Sequence, residues 1–415
     1  MTLAPAPSPI QTRKEDSASF SLPGPLTTQA LDLADRLVAE VLAQPANAAE
    51  GITLARGTSG DLLLLLEYAH HQPRAAIDLK IEALFEVVTE AVESTPLPTG
   101  LWSGICGIMW TLDYAGRRHG LHREAIAELM GEYDEHLLHY TSRAESGRHL
   151  DIISGLSSQA IYATERENSA TVSQLRHAIA ARLREGAVMD AEGGVHWRMF
   201  PGRYKREPFP PNQPEPLDLG YAHGVPGVIA ALVALTSREP HLQVDDLIQG
   251  GMRWMERQAR PHPAHSRYSC WVGHEMDSRL AWCYGDLGVA ITQTLRGLTA
   301  DDACLLEAGC SLFQQRCLNS QVSSGVSDSG LCHGAAGIAL IAEWLYRINR
   351  DEQLAKIRND WLQRAIRLTE AELEREGFQT GLLGKHTGVA LTCLTLATGS
   401  TLKWAAPLVF GLSEQ

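Results

Sequence analysis

The chain has 415 residues, of which 44% are hydrophobic, and a formal net charge of −13. That length suits two ordinary domains or one large repeat fold with a sizeable core. So acidic a surface repels phosphate backbones, which argues against nucleic acid as a partner.

The N-terminal MTLAPAPSPIQTRKED has no apolar core of signal-peptide length. Residues 1–25 read as a disordered, Pro-rich tail, and 26–415 as a single domain. The eight cysteines (Cys106, Cys270, Cys283, Cys304, Cys310, Cys317, Cys332 and Cys393) are scattered through a long chain. This pattern predicts reduced thiols in a cytoplasm, not a disulfide framework. The longest apolar run, Val228 to Leu235, is too short to cross a bilayer. No direct membrane insertion is expected, and any membrane contact would come through partners.

From residue 57 onward one pattern recurs: a glycine, two residues, a second glycine, then an apolar stretch. It appears at Gly57–Gly60, Gly104–Gly107, Gly155–Ser158, Gly224–Gly227, Gly285–Gly288, Gly334–Gly337 and Lys385–Gly388. The intervals are 47, 51, 69, 61, 49 and 51 residues. A unit near this length holds two helices and two connections. Stretches between the motifs, such as HREAIAELMGEYDEHLLHY, place apolar residues at three- and four-residue spacing with charges between, as outer amphipathic helices do. Stretches after the motifs, such as VIAALVAL, are apolar all round and predict buried inner helices. The expected fold class is therefore all-α: an α/α toroid of seven helix pairs, closed because the inner helices need neighbours on both sides. Ser158 and Lys385 depart from the motif and put regular packing in question at the third and seventh repeats. The Pro-rich segment 193–218 in the longest interval forbids regular helix. It predicts an extended loop or small accessory lobe around residues 190–220. Residues 259–275 read as similarly irregular.

Two motifs carry three metal-ligand residues. Cys283 precedes Gly285 in AWCYGDLG, and Cys332 and His333 precede Gly334 in LCHGAAG. Two thiolates and one imidazole suit zinc, and three protein ligands leave a fourth tetrahedral position open, as in catalytic sites. Adjacent ligands cannot share a face inside a regular helix but can converge just before one begins. A Cys-His pair alone is a poor zinc signal; its placement on the same repeat phase as Cys283 is what strengthens it. Cys106 lies inside its glycine motif and reads as a packed core residue. His223 in GYAHGVPG sits at a corresponding phase, against the plainer reading of a core histidine. Asp151 opens the third motif, DIISGLS, where helix N-capping is a sufficient explanation. Arg279, four residues before Cys283, reads on its own as a surface charge.

The combination of GYAHGVPG, RLAWCYGDLG, LCHGAAG and DIISGLS resembles the lanthipeptide cyclase family, LanC, over nearly the whole chain from about residue 30. The resemblance implies an α/α toroid with one zinc per chain, held by Cys283, Cys332 and His333. It implies acid/base roles for His223 and Asp151 and an active-site role for Arg279. It also implies the reaction: cysteine thiols of a dehydrated, leader-bearing precursor peptide add to dehydroalanine or dehydrobutyrine, forming thioether rings. The expected partners are that peptide, plus a separate dehydratase and an exporter in a membrane-associated assembly. Two other readings share the same site: conjugation of glutathione to dehydroamino acids, and a zinc-bearing scaffold without turnover. A prenyltransferase-like toroid would want more than 6% aromatics, and a glycosidase would want paired inward carboxylates.

Overall fold

The computed structural model describes residues 22–49, 51–94, 96–143, 149–198, 217–261, 266–319 and 324–409. Most of the expected tail and residues 199–216 of the Pro-rich segment lie outside this set. Fourteen helices occupy the described residues and alternate between two roles. The outer ones are α1 (Gly24–Ala43), α3 (Ala75–Ser94), α5 (Arg123–Ser142), α7 (Ala170–Glu185), α9 (Asp245–Arg257), α11 (Ala303–Leu318) and α13 (Glu352–Glu376). The inner ones are α2 (Thr58–His71), α4 (Ile105–His119), α6 (Leu156–Glu165), α8 (Val225–Arg238), α10 (Asp286–Ala300), α12 (Ala335–Asn349) and α14 (His386–Thr398). The first eleven residues of α2 and of α8 are all buried, as a helix apolar on every side requires.

Every inner helix starts one residue after the first position of its motif. No side chain caps any of them. Instead the preceding loop folds back over the helix start. The N–H groups of Thr58, Ile105, Leu156, Val225, Ala335 and His386 donate to carbonyls seven residues earlier, at 2.8–3.3 Å. The loop thus satisfies donors that a helix start otherwise leaves unpaired. Three outer helices use the ordinary device: Ser169, Asp302 and Asp351 cap α7, α11 and α13 with their side chains.

This fold-back explains the second glycine of the motif. A Cβ at Gly107 would lie 1.8 Å from the Leu101 carbonyl oxygen, and one at Gly337 would lie 1.9 Å from that of Leu331. Ser158 is accommodated differently. Its hydroxyl donates to the Gly155 carbonyl at 2.6 Å and accepts from the Leu101 N–H at 3.2 Å. Lys385 replaces a glycine at φ −138°, extended backbone open to any residue, whereas Gly57 and Gly285 hold φ of 108° and 75°. Both departures therefore leave the inner helices in register.

The toroid is closed by a ring of seven backbone hydrogen bonds joining the residues just ahead of each motif. Ala55 N–H donates to Trp102 O, Trp102 to Ile153, Ile152 to Ala222, Ala222 to Cys283, Cys283 to Cys332, Cys332 to Leu383, and Leu383 back to Ala55, over 2.7–3.3 Å. Directly beneath the ring the residues three before each motif form an apolar floor. Leu54, Leu101, Ile152, Tyr221, Trp282, Leu331 and Leu382 are at most 1% exposed. A buried 3-10 helix, Lys403–Leu408, packs against α6, and its Trp404 donates its indole N–H to Thr395 of α14 at 2.8 Å. The Trp282 indole in turn donates to the Leu408 carbonyl at 3.3 Å. The basin at the mouth is thus backed by buried side chains.

The longest interval contains a two-stranded antiparallel hairpin, β1 (Ala187–Met189) with β2 (Val195–Trp197), where only irregular chain was expected. Trp197 anchors it, fully buried, through its indole N–H to Leu183 O at 2.7 Å, and β2 packs on α9. The described residues of 259–275 form no helix.

Candidate metal centre and active site

Seven copies of one loop present equivalent positions around the basin, and a few of them carry chemistry. The position two before the motif is Ala55, Trp102, Ile153, Ala222, Cys283, Cys332 and Leu383. Cys283 and Cys332 are neighbours on the hydrogen-bonded ring, so the fifth and sixth repeats deliver two thiols side by side. His333, one residue on, still precedes α12. The candidate ligand atoms of Cys283, Cys332 and His333 lie within 4.8 Å of one another, the one group of three or more metal-ligating side chains so close among the described residues.

The donor set fits a zinc ion. Nδ1 of His333 is buried with no hydrogen-bond partner. Such an orphaned nitrogen is costly unless something ligates it. The other ring nitrogen faces Asp328 Oδ2 at 3.5 Å, and Asp328 Oδ1 accepts from Gly330 N–H at 3.1 Å. A carboxylate on the non-ligating nitrogen is the usual way of orienting a metal-bound imidazole. The thiols polarise each other. The hydrogen bond from Cys332 holds Cys283 well below the usual thiol range against the opposing effect of burial, with further help from His333 and Arg279. The same hydrogen bond, together with burial, pushes Cys332 up. One thiolate is therefore readily available to a cation.

His223 and Asp151 meet although they are 72 residues apart. His223 Nδ1 lies 2.8 Å from Asp151 Oδ2, and Asp151 Oδ1 accepts from the backbone and hydroxyl of Ser154 at 2.8 and 3.1 Å. The carboxylate is buried and the imidazole half-buried. A rule of the fold brings them together: the residue four before one motif packs against the residue one before the next. A Cβ at Gly100 would strike Ser154 Cα at 2.7 Å, and one at Gly220 would strike the Tyr284 ring at 2.6 Å. Where these repeats need glycine, the third has Asp151, whose carboxylate reaches the next repeat's His223.

Arg279 is exposed, as a surface charge would be, yet near enough to the thiols to lower both. It sits six residues before its motif, where the fourth and sixth repeats carry Asp218 and Asp328. Cys106 is fully buried beside the Tyr133 hydroxyl at 3.2 Å, and burial pushes its thiol up to about 12, as suits a core residue. No disulfide joins any of the eight cysteines.

Two site residues escape a motif-by-motif reading of the sequence. Tyr284 stands between His223 and His333 in the series one before each motif. Its ring lies 6.3 Å from that of His223, and its hydroxyl donates to Asp218 Oδ2 at 3.2 Å. Asp328 is the other. Aligning the repeats by position would have exposed both.

The comparisons agree with this architecture. The family model for "Lanthionine synthetase C-like protein" matches residues 48–409. Among solved structures, nisin cyclase superposes with a TM-score of 0.72 at 17% sequence identity, covering 91% of this chain and 97% of that one. No curated protein matches the chain in a sequence search. No helix among the described residues is long and apolar enough to cross a membrane. With the family model spanning nearly all of the toroid, the chain belongs to the lanthionine synthetase C-like family.

Proposed function

We propose that this protein is a zinc-dependent lanthipeptide cyclase, forming lanthionine and methyllanthionine rings by intramolecular addition of cysteine thiols to dehydrated serine and threonine residues. The observation that carries the reading is a Cys-Cys-His ligand set beside a carboxylate-held histidine, whose neighbour Ala222 is bonded to Cys283 on the ring. Zinc bound by Cys283, Cys332 and His333 would keep an incoming cysteine sulfur as thiolate at neutral pH. The remaining steps fall to the chain's own groups.

When the sulfur bonds to the β-carbon, the carbon–carbon double bond of the dehydro residue opens and negative charge moves to the adjacent carbonyl oxygen. Arg279 is the cation suited to that oxygen, and the N-termini of the inner helices add positive potential around the mouth. A proton must then reach the α-carbon. His223 supplies it from Nε2, because Nδ1 is engaged by Asp151. Both oxygens of Asp151 are committed to His223 and Ser154, which supports an orienting role over that of a base. The thiol proton displaced at the start balances the one delivered at the end.

The substrate in this reading is a leader-bearing precursor peptide already dehydrated by a separate enzyme, with dehydratase and exporter as partners. The test is incubation of the zinc-loaded protein with a synthetic peptide holding one dehydroalanine and one cysteine. Cyclisation leaves the mass unchanged and removes the thiol that an alkylating reagent would tag. Full retention of the alkylatable thiol would refute the assignment. Addition of glutathione in its place would make the protein a conjugating enzyme instead.

A further inference from the structure

The two basic side chains nearest the mouth on its metal-free side, Arg56 and Lys385, have no assigned use. Arg56 immediately follows Ala55, and Lys385 lies two residues after Leu383, the two ring positions that join the seventh repeat to the first. They border a cavity of ≈ 630 Å³ at this seam, within the usual range for ligand sites. Lys80 from α3 projects into the same cavity, while Leu84 and Phe378 supply apolar wall.

The charges in the cavity are unbalanced. Among the described residues, its one acidic lining residue is Asp61, which is 8% exposed and whose oxygens already accept from the hydroxyls of Thr380 and Thr387 at 2.6 and 2.7 Å. Burial pushes this carboxyl up and pulls the Lys80 ammonium down. Lys80 donates to the Gln44 carbonyl and faces Asp61. Among the described residues, neither Arg56 nor Lys385 forms an ion pair. Lys385 senses Glu376, but that carboxylate is held by Arg375 at 2.7 Å. Among the described residues, three cations against one buried carboxyl make a positive recess in a protein of net charge −13. An acidic ligand would be repelled by much of the remaining surface and drawn here, over the few ångströms that salt leaves unscreened.

Its placement tells what kind of anion. The Leu383 carbonyl accepts from the N–H of Cys332 at 2.7 Å. Two residues of chain, at most about 7 Å between Cα atoms, separate Leu383 from Lys385. A peptide lying in the cavity can therefore continue directly towards the thiol pair. A single phosphate or small carboxylate would leave the apolar wall uncovered.

We infer that the seam cavity is a docking subsite for an acidic, apolar-interspersed peptide segment, with Arg56 and Lys385 receiving its carboxylates and Phe378 and Leu84 its apolar side chains. This rests on the cyclase reading only in making that segment part of the substrate; the binding itself does not need the metal.

The test uses a fluorescein-labelled octapeptide of alternating aspartate and leucine, with alternating lysine and leucine as control. Fluorescence polarisation reads binding to the full chain and to the double variant Arg56→Glu/Lys385→Glu, with zinc content and thermal melting checked in parallel. The acidic peptide should bind saturably and lose affinity as salt rises. The double variant should bind at least about tenfold more weakly while melting normally and keeping its metal. Cys332→Ala should bind the acidic peptide as the wild type does, so failure of the cyclase reading and failure of this one are separable. Equal affinity in wild type and double variant, no binding by the wild type, or equal binding of the basic peptide would each overturn the subsite. Displacement of the peptide by citrate at comparable concentration would reduce it to a site for any small anion and overturn the peptide assignment. A double variant that fails to melt normally is replaced by Lys385→Gly, which restores the repeat motif; unchanged affinity there also counts against the proposal.

Discussion

The two halves of the mouth are built on one backbone and do opposite things with it. Repeats three to six place Asp151, His223, Cys283, Cys332 and His333 at the loop positions nearest the ring. Repeats seven, one and two place Leu383, Ala55 and Trp102 at the equivalent ring positions, with no metal-ligating group among them. The ring hydrogen bonds span 2.7–3.3 Å on both sides, so the scaffold does not distinguish a catalytic repeat from a plain one. Chemistry in this fold is a matter of which loop positions are given reactive side chains. The loops can accept them because their backbone is fixed by main-chain bonds that do not depend on side-chain identity.

If that is so, substitutions on the reactive half should remove chemistry and leave the ring intact, while substitutions in the shared scaffold should do the reverse. The largest effect is expected for Cys332→Ala. It should lose nearly all its zinc by elemental analysis and all ring formation, yet melt close to the apo wild type. Full zinc retention would place the ligands elsewhere. Next comes His223→Asn, which should keep its zinc and form rings about 10² to 10⁴-fold more slowly. Asp151→Asn should resemble it, because the imidazole loses the carboxylate that orients it. Loss of zinc in His223→Asn as complete as in Cys332→Ala would make the histidine a ligand. The smallest effect contrasts two scaffold glycines. Gly107→Ala drives a methyl into the Leu101 carbonyl and should cost about 1–3 kcal/mol in denaturant unfolding, although it lies on the half without chemistry. Gly384→Ala, with nothing within 4 Å of the added carbon, should change stability by less than about 0.5 kcal/mol. Equal costs at both would show that the fold-back over the inner helix is not what selects glycine.

Much of this was legible in the chain because the repeat turns a three-dimensional relation into a sequence interval. Cys283 and Cys332 each lie two residues before a motif, so equal phase in adjacent repeats means adjacency on the ring. The all-apolar and amphipathic stretches separated inner from outer helices for the same reason. Relations between unequal phases were hidden. Asp151 touches His223 through a contact from four-before to one-before that shows itself only once the loops are seen packed. Asp151 alone could be read as an ordinary helix cap, and Tyr284 as one more aromatic in an apolar stretch. The β1–β2 hairpin was hidden because its strands are three residues each, too short for alternation to register. The buried 3-10 helix obeys no repeat at all; it is placed by Trp404 and the Leu408 carbonyl.

The seam between the seventh and first repeats also dictates an order of events during folding. Asp61 is clasped by Thr387 across 326 residues, Leu383 pairs with Ala55, and α1 packs against α14. Contacts of such sequence separation carry a large loop-closure cost and form late. On the ribosome none of them can exist until the seventh repeat has emerged. Until then the nascent chain is an open arc, with the apolar flanks of α2 at one end and of the newest inner helix at the other facing water. That state is the one most exposed to proteases and to pairing with other chains. The metal ligands of repeats five and six are by then already made, and neighbouring repeats alone bring the two thiols together. The candidate metal ligands can therefore come together before the barrel closes, and closure becomes the step that completes the fold.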